Sequence, residues 1–313
     1  MAKSIRQIVL PLVAAIIWGT AFVVQGDVAD KISPFTFNGS RMIIAALVLF
    51  GIILAKEGVK KKKLGSEYKK PDVKKAVIGG VFCGVVLTVA VNLQQWGITL
   101  KVRPAMSAFI TTLYMIFVPI FGLFFGKKTS ASVWIALLIA VPALYFVCGV
   151  KDFSFDAGTL LMILCAVMFA VHILVVDRFT QDCDGFVLSC AQFFVGGVIS
   201  LVCALIFEKI SFAALFENGW QILYVGAISS AAGYTLQIEA QKGTNPTCVS
   251  ILLCLESVFA LIAESIIYAI RGQSFVYEPL RYLGCALMLV AVVVAQIDVD
   301  EIIEKVKTNK KSK

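Results

Sequence analysis

Charge is scarce in this chain. Only 15% of its 313 residues are Asp, Glu, Lys or Arg, against 59% hydrophobic, where an ordinary soluble chain carries about 25% charged and about 45–50% apolar residues. Mean hydropathy is +0.91. So little polar surface cannot cover a water-soluble globule, and neither disorder nor a collagen-like repeat fits so apolar a composition. Histidine is nearly missing as well, His172 standing alone, and the nine cysteines form no C-x-x-C pair. Scattered cysteines in apolar runs read as small packed hydrophobes, so neither a disulfide framework nor a metal site is expected. There is no G-x-x-x-x-G-K-[ST] loop and no D-D-x-x-D run, which argues against direct ATP drive and against Mg²⁺-diphosphate chemistry. No cofactor is expected.

What the chain has in quantity is apolar runs. A hydrocarbon core about 30 Å thick takes roughly 20 helical residues. Ten runs near that length occur, at 8–24, 34–55, 76–96, 104–125, 132–150, 158–176, 186–207, 219–240, 246–270 and 280–297. Most connectors are short and hold Gly, Pro, Asn, Asp or Lys, residues that stop helices or prefer water. The first run follows Lys3 and Arg6 but lacks an A-x-A-like cleavage site, and nine runs come after it. It reads as a retained span rather than a signal peptide.

Orientation follows from counting Lys and Arg in alternate connectors. With the N-terminus inside, the inner segments hold twenty and the outer ones seven, while Arg41 lies within a run. Both termini are therefore expected in the cytoplasm, in a multi-pass protein of the cytoplasmic (plasma) membrane. Nine of the inner lysines fall in one loop, 56–75. It reads as a topology anchor attracted to anionic lipid, because no aromatic positions alternate with the lysines as nucleic-acid stacking would need. Membrane lipids and a small-molecule substrate are the expected partners, nucleic acid is not, and a homodimer stays open.

The runs also repeat. At an offset of 151, Trp18 meets Phe169, Phe35 meets Phe186, Arg41 meets Gln192, and Ala45-Ala46 meet Gly196-Gly197. At an offset of 142, Pro104 meets Pro246 and Tyr114 meets Glu256. The change of offset falls in the lysine loop, where an insertion costs least. Five spans then five spans make an odd-numbered unit, so the second copy enters the membrane from the opposite side. The expectation is an all-α integral membrane fold of ten transmembrane helices as two inverted five-helix repeats, 1–150 and 151–297, with a cytoplasmic tail at 298–313. Inverted repeats of this kind are common in secondary transporters, which bind substrate near the midplane between the repeats.

Ionisable residues inside a span cost about 2.5–3.5 kcal/mol at its centre and are functional candidates by default. Glu256 stands about 15 Å along its run from Pro246, and Tyr114 about 15 Å along its run from Pro104. Together they could orient a substrate amine or hydroxyl or carry a proton, or they could bond to each other. Arg41, about 10 Å into its run, could snorkel outward, pair with a carboxylate, or hold an anionic group. His172 is a proton relay or a satisfied helix contact. Trp18, beside Gly19, is a packing residue or a pocket wall. Asn92 and Gln237 are candidates to line a cavity, as is Gln192, the repeat mate of Arg41. The neighbouring Gln94 and Gln95 read as span-end residues, and Glu264, about 12 Å beyond Glu256, as a residue of the headgroup boundary or of an outer vestibule. Asp177, Asp182 and Asp184 read as one inner loop.

The stretches IIWGTAFVVQ, FNGSRMIIAALVL, AFITTLYMIFVPIFGLFFG, YTLQIEAQKGTNPTCVSILLCLESVFA and LGCALMLVAVVVAQ, in that order, resemble the EamA-type branch of the drug/metabolite transporter superfamily over about residues 8–297. The resemblance implies a ten-helix inverted-repeat transporter that exports or exchanges small metabolites through a central cavity. The chain departs from the usual pattern at Ser257, where Pro is frequent, at Arg271-Gly272-Gln273, and at Glu264, where small residues are usual. The reading is a secondary active transporter for an amino acid, nucleobase, sugar or amine-like solute, driven by the solute's own gradient or by protons. The alternatives are a membrane-embedded enzyme acting on lipid and a non-transporting scaffold.

Overall fold

The structure, a computed structural model, describes residues 5–65, 72–127, 129–148, 155–272 and 279–296. Among these residues it is all helix, without a strand. The first half of the chain forms α1 (Ile5–Val28), α2 (Pro34–Leu64), α3 (Lys74–Thr99), α4 (Pro104–Thr112), α5 (Tyr114–Phe124) and α6 (Ala131–Cys148). The second forms α7 (Ala157–Thr180), α8 (Gly185–Phe207), the short α9 (Phe212–Glu217) and α10 (Gly219–Leu223), a π-helical segment Tyr224–Tyr234, then α11 (Thr235–Gln241), α12 (Pro246–Leu253), α13 (Leu255–Ile270) and α14 (Pro279–Gln296). Seven stretches are long and apolar enough to cross a membrane: α1, α2, α3, α4 with α5, α7, α8, and α12 with α13. Two shorter apolar helices lie at Ala131–Val147 and Pro279–Ala295. The chain is a multi-pass membrane protein.

Four details differ from the sequence-based expectation. The lysine loop is partly helix, since α2 runs through Lys60, Lys61, Lys62 and Lys63 to Leu64; lysine is a good helix former, and 56–64 holds no proline and a single glycine, Gly58, that the helix absorbs. The run 219–240 is not one α-helix but α10, eleven π-helical residues and α11. The runs 104–125 and 246–270 each break, at Leu113 and at Cys254. Asp177 belongs to α7 and is buried, rather than lying in a loop. The expected tail 298–313 and positions 66–71 of the lysine loop lie outside the described residues.

Helix starts follow from local chemistry. Pro34, Pro104 and Pro246 each stand at the first helical position, where a missing N–H costs nothing. Asn245, Asp156 and Asp184 accept hydrogen bonds from backbone N–H groups of the first turns of α12, α7 and α8, satisfying donors the helix cannot. Both mid-run breaks share a cause. Thr112 Oγ1 donates back to the Phe109 carbonyl at 2.7 Å. Around Cys254, Ser250 Oγ donates to the Thr247 carbonyl and Ser257 Oγ to the Cys254 carbonyl, each at 2.8 Å. Such back-bonding competes with the helical ladder and bends it.

Helix partnerships are matched between the halves. α2 packs on α8, and α6 on α14. α1 packs on α13 and on the π segment, while α7 packs on α5 and on α3. α2 also meets the π segment, as α8 meets α3. In a membrane, where lipid is as apolar as a leucine, close van der Waals fit holds such partners together. A Cβ on Gly19 would stand 2.8 Å from the Glu256 carbonyl oxygen, and one on Gly284 would stand 2.6 Å from the Ala143 carbonyl oxygen. Glycine at these two positions lets α1 lie directly on α13 and α14 directly on α6.

Candidate functional site

The break between α12 and α13 sets Glu256 in the first turn of α13, buried, with its carboxylate toward the matching break in the other half. Tyr114, the first residue of α5, donates its hydroxyl to Glu256 Oε1 at 3.2 Å. The pair brought together by the offset of 142 is therefore in direct contact. Around it lies a cavity of about 30 Å³ lined by Trp18, Arg41, Gln94, Tyr114, Tyr234 and Glu256, among others. That is room for about one water molecule, so in this conformation the centre is closed around its own side chains.

Arg41 is buried rather than snorkelling outward, and among the described residues it pairs with no carboxylate. Its Nε donates to Asn38 Oδ1 at 2.7 Å and its Nη1 to Ser230 Oγ at 3.1 Å, and the guanidinium lies 5.8 Å from the Phe37 ring centroid. Asn38 is held in turn. Its Nδ2 donates to Asn92 Oδ1, and Asn92 Nδ2 donates to Ser200 Oγ, both at 3.0 Å. Five residues from α8, α3, α2 and the π segment thus form one relay that orients the guanidinium and leaves the rest of its five-donor fork for a ligand. A cation and a carboxyl group line the same cavity without bonding to each other.

The π segment supplies the third wall. Trp18 Nε1 donates to the Ser229 carbonyl at 3.1 Å, the Trp18 and Tyr234 rings lie 4.7 Å apart, and Thr20 Oγ1 and the Tyr224 hydroxyl are 2.6 Å apart. Extended π-helix is rare and is often found at functional sites.

Of the residues expected at the site, Glu256, Tyr114, Arg41 and Trp18 line the cavity. Asn92 does not; it stands behind Arg41 as a positioning residue. His172 and Gln192 are buried outside the lining and bond to each other, Nε2 to Oε1, at 3.1 Å. Gln237 is buried elsewhere, its Oε1 without a hydrogen-bond partner among the described residues. Gln94, read from sequence as a span-end residue, lines the cavity and donates to Thr111 Oγ1 at 3.2 Å. Phe169, also in the lining, is the repeat mate of Trp18. Ser229, Ser230 and Tyr234 were missed; the run of small residues SSAAG beside them was the signal available in the sequence.

Ion pairs gather at the two ends. At the lysine-rich end Lys127 meets Asp177 at 2.5 Å, Lys75 meets Asp182 at 2.6 Å, and Arg6 pairs with Glu239. The hydrogen bond and charge of Lys75 hold the Asp182 carboxyl below its usual range. At the opposite end Arg271 meets Asp27 at 2.7 Å, Arg103 stands 3.5 Å from Glu264, and Lys101 pairs with Asp30. A cavity of about 260 Å³ opens among these six residues. Glu264, buried, faces this vestibule rather than the headgroup boundary.

Buried polar and charged groups at the centre of many apolar helices define a polytopic membrane protein. The model of the EamA-like transporter family matches residues 5–149 and again 156–296, and the chain belongs to that family of membrane transporters. It is 24% identical over 290 residues to an uncharacterized transporter of Archaeoglobus fulgidus, covering 91% of this chain and 84% of that one. It is 23% identical over 240 residues to the uncharacterized transporter YoaV of Bacillus subtilis, covering 73% and 79%. A solved crystal structure shares the fold at a TM-score of 0.70 and 17% identity, covering 92% of this chain and 95% of the other.

Proposed function

We propose that this protein is a secondary active transporter that exports or exchanges a small polar metabolite across the cytoplasmic membrane by alternating access. In this reading ten spans form two inverted five-helix repeats with both termini in the cytoplasm, and solute binds between the repeats at the central cavity. The observation that carries it is Arg41 and the Tyr114–Glu256 pair facing one buried cavity. Groups of both signs, kept from neutralising each other, suit a polar solute better than a lipid chain. Two further observations support it: the matched helix partnerships of the halves and the double match of the family model.

The ion pairs at the ends act as alternate closures in this mechanism. Lys127 and Arg271 follow α5 and α13, and their partners Asp177 and Asp27 sit near the ends of α7 and α1. Those four helices correspond under the repeat. Rocking of one five-helix unit against the other parts one pair as it tightens the other, and the central cavity enlarges toward the parted end. Glu256 carries the coupling proton.

Flux into proteoliposomes, measured with a panel of small metabolites with and without a pH gradient, tests this. At least one solute should move, and Glu256→Gln should abolish its pH-driven uptake while retaining solute exchange. Absence of flux for every solute under both conditions would overturn the proposal, and pH-driven uptake unchanged by Glu256→Gln would remove the carboxyl from coupling.

A further inference from the structure

The vestibule opposite the lysine-rich end has a feature that neither closure nor packing requires. Three carboxylates and three cations surround it: Asp27, Asp30 and Glu264, with Lys101, Arg103 and Arg271. Two of the acids are exposed and firmly paired. Glu264 is neither. Its side chain is 2% exposed, its contact with Arg103 is 3.5 Å long, and among the described residues its Oε2 has no hydrogen-bond partner. A charge-assisted N–H···O bond normally measures about 2.7–2.9 Å, so the Arg103 contact is loose. A buried carboxylate oxygen without a donor is costly, which gives Glu264 a standing affinity for one.

The walls indicate what kind of donor fits. Ile98, Val102, Pro104 and Ile267 supply an apolar lining and Tyr268 an aromatic ring. The cavity, about 260 Å³, has the volume of roughly nine waters at about 30 Å³ each and takes a small organic molecule with an apolar stem. Arg103, half-exposed, can turn toward water when displaced, while the buried Arg281 stays beside the carboxylate. We propose that the vestibule is a second binding site, specific for the ammonium head of a small organic amine, with Glu264 as its anchor. Glu264 lies two helical turns beyond Glu256 on α13, and as a first station on the way to the central cavity the site rests on the transport reading. As a binding site it stands by itself.

The ammonium head could belong to a plain amine or to a zwitterion, and one set of probes separates them: n-pentylammonium, 5-aminopentanoate and pentanoate at matched ionic strength. Binding to the purified full chain in nanodiscs is read by calorimetry and by the shift in unfolding temperature. Pentylammonium should bind saturably and pentanoate should not. A zwitterion is indicated if 5-aminopentanoate binds tighter than pentylammonium, its carboxylate meeting Lys101 or Arg271, and a plain amine if it binds weaker. Glu264→Gln should weaken pentylammonium at least tenfold, whereas Glu256→Gln should leave its affinity within twofold. Arg103→Gln, which removes the competing cation, should tighten it severalfold; a purely structural Arg103–Glu264 contact would give no such gain. No pentylammonium binding to the unaltered chain, unchanged binding in Glu264→Gln, or loss in Glu256→Gln alone would overturn the proposal. Because none of these readouts involves flux, failure of the transport reading and failure of this site are distinguishable.

Discussion

The two ends of the molecule use the same device with different tightness. At the lysine-rich end, Asp177 is 4% exposed, lies 2.5 Å from Lys127, and also accepts from Gln181 Nε2 at 3.2 Å. Gln181 continues the seal, accepting from the Gly243 backbone N–H at 2.9 Å. At the opposite end Asp27 is 35% exposed and pairs with Arg271 across the rim of the vestibule. Of these related pairs, the one at the lysine-rich end has a buried carboxylate and the one at the other end a partly exposed carboxylate. The two ends thus differ in the solvation of matching pairs rather than in the kinds of residue that form them.

Mutation can break this comparison. The largest effect is expected from Asp177→Asn, which replaces a buried carboxylate by a neutral amide beside the half-exposed Lys127 and should cost about 1–3 kcal/mol. Thermal unfolding should fall clearly, and the buried Cys248 in α12 should gain reactivity toward maleimide as that end loosens. Asp27→Asn, at an exposed pair, should cost no more than about 1 kcal/mol and leave Cys248 labelling unchanged. Equal effects from the two substitutions would mean that the ends are equivalent and the asymmetry read from burial is wrong. The smallest effect belongs to Asp182→Asn. Lys75 lowers the pKa of Asp182, so whatever stability the pair adds is present at neutral pH and fades as the solution is acidified through that lowered value. Because both side chains are exposed, titration of the folded protein from neutral pH to pH 3 should give the variant and the unaltered chain nearly the same unfolding curve at the neutral end.

Much of this was legible in the sequence, and the reasons differ by residue. Hydropathy marked the spans because lipid tolerates few alternatives to an apolar helix. The offset of 142 brought Tyr114 opposite Glu256 because the two stretches that the family model matches place these residues equally far from the prolines that start their runs. Glu264 was harder: distance along a helix from Glu256 fixes depth but not which neighbour covers the side chain, and Arg103 comes from the start of α4. Gln94 was misplaced because depth was counted from the end of its run, although α3 continues past it to Thr99. Asn92 and Arg41 were both recognised as unusual, but their link through Asn38 crosses from α2 to α3, and no sequence spacing reveals that crossing.

The π segment has a consequence for how its span is read. In an α-helix, residues facing one neighbour recur every three or four positions; hydrogen bonding from i to i+5 lengthens that interval. Tyr224, Ser229 and Tyr234 stand five apart, and all three meet α1, through Thr20, the Trp18 indole nitrogen and the Trp18 ring. This one span therefore carries its message in a different metre from its neighbours, and a side chain here belongs with the fifth residue along rather than the fourth.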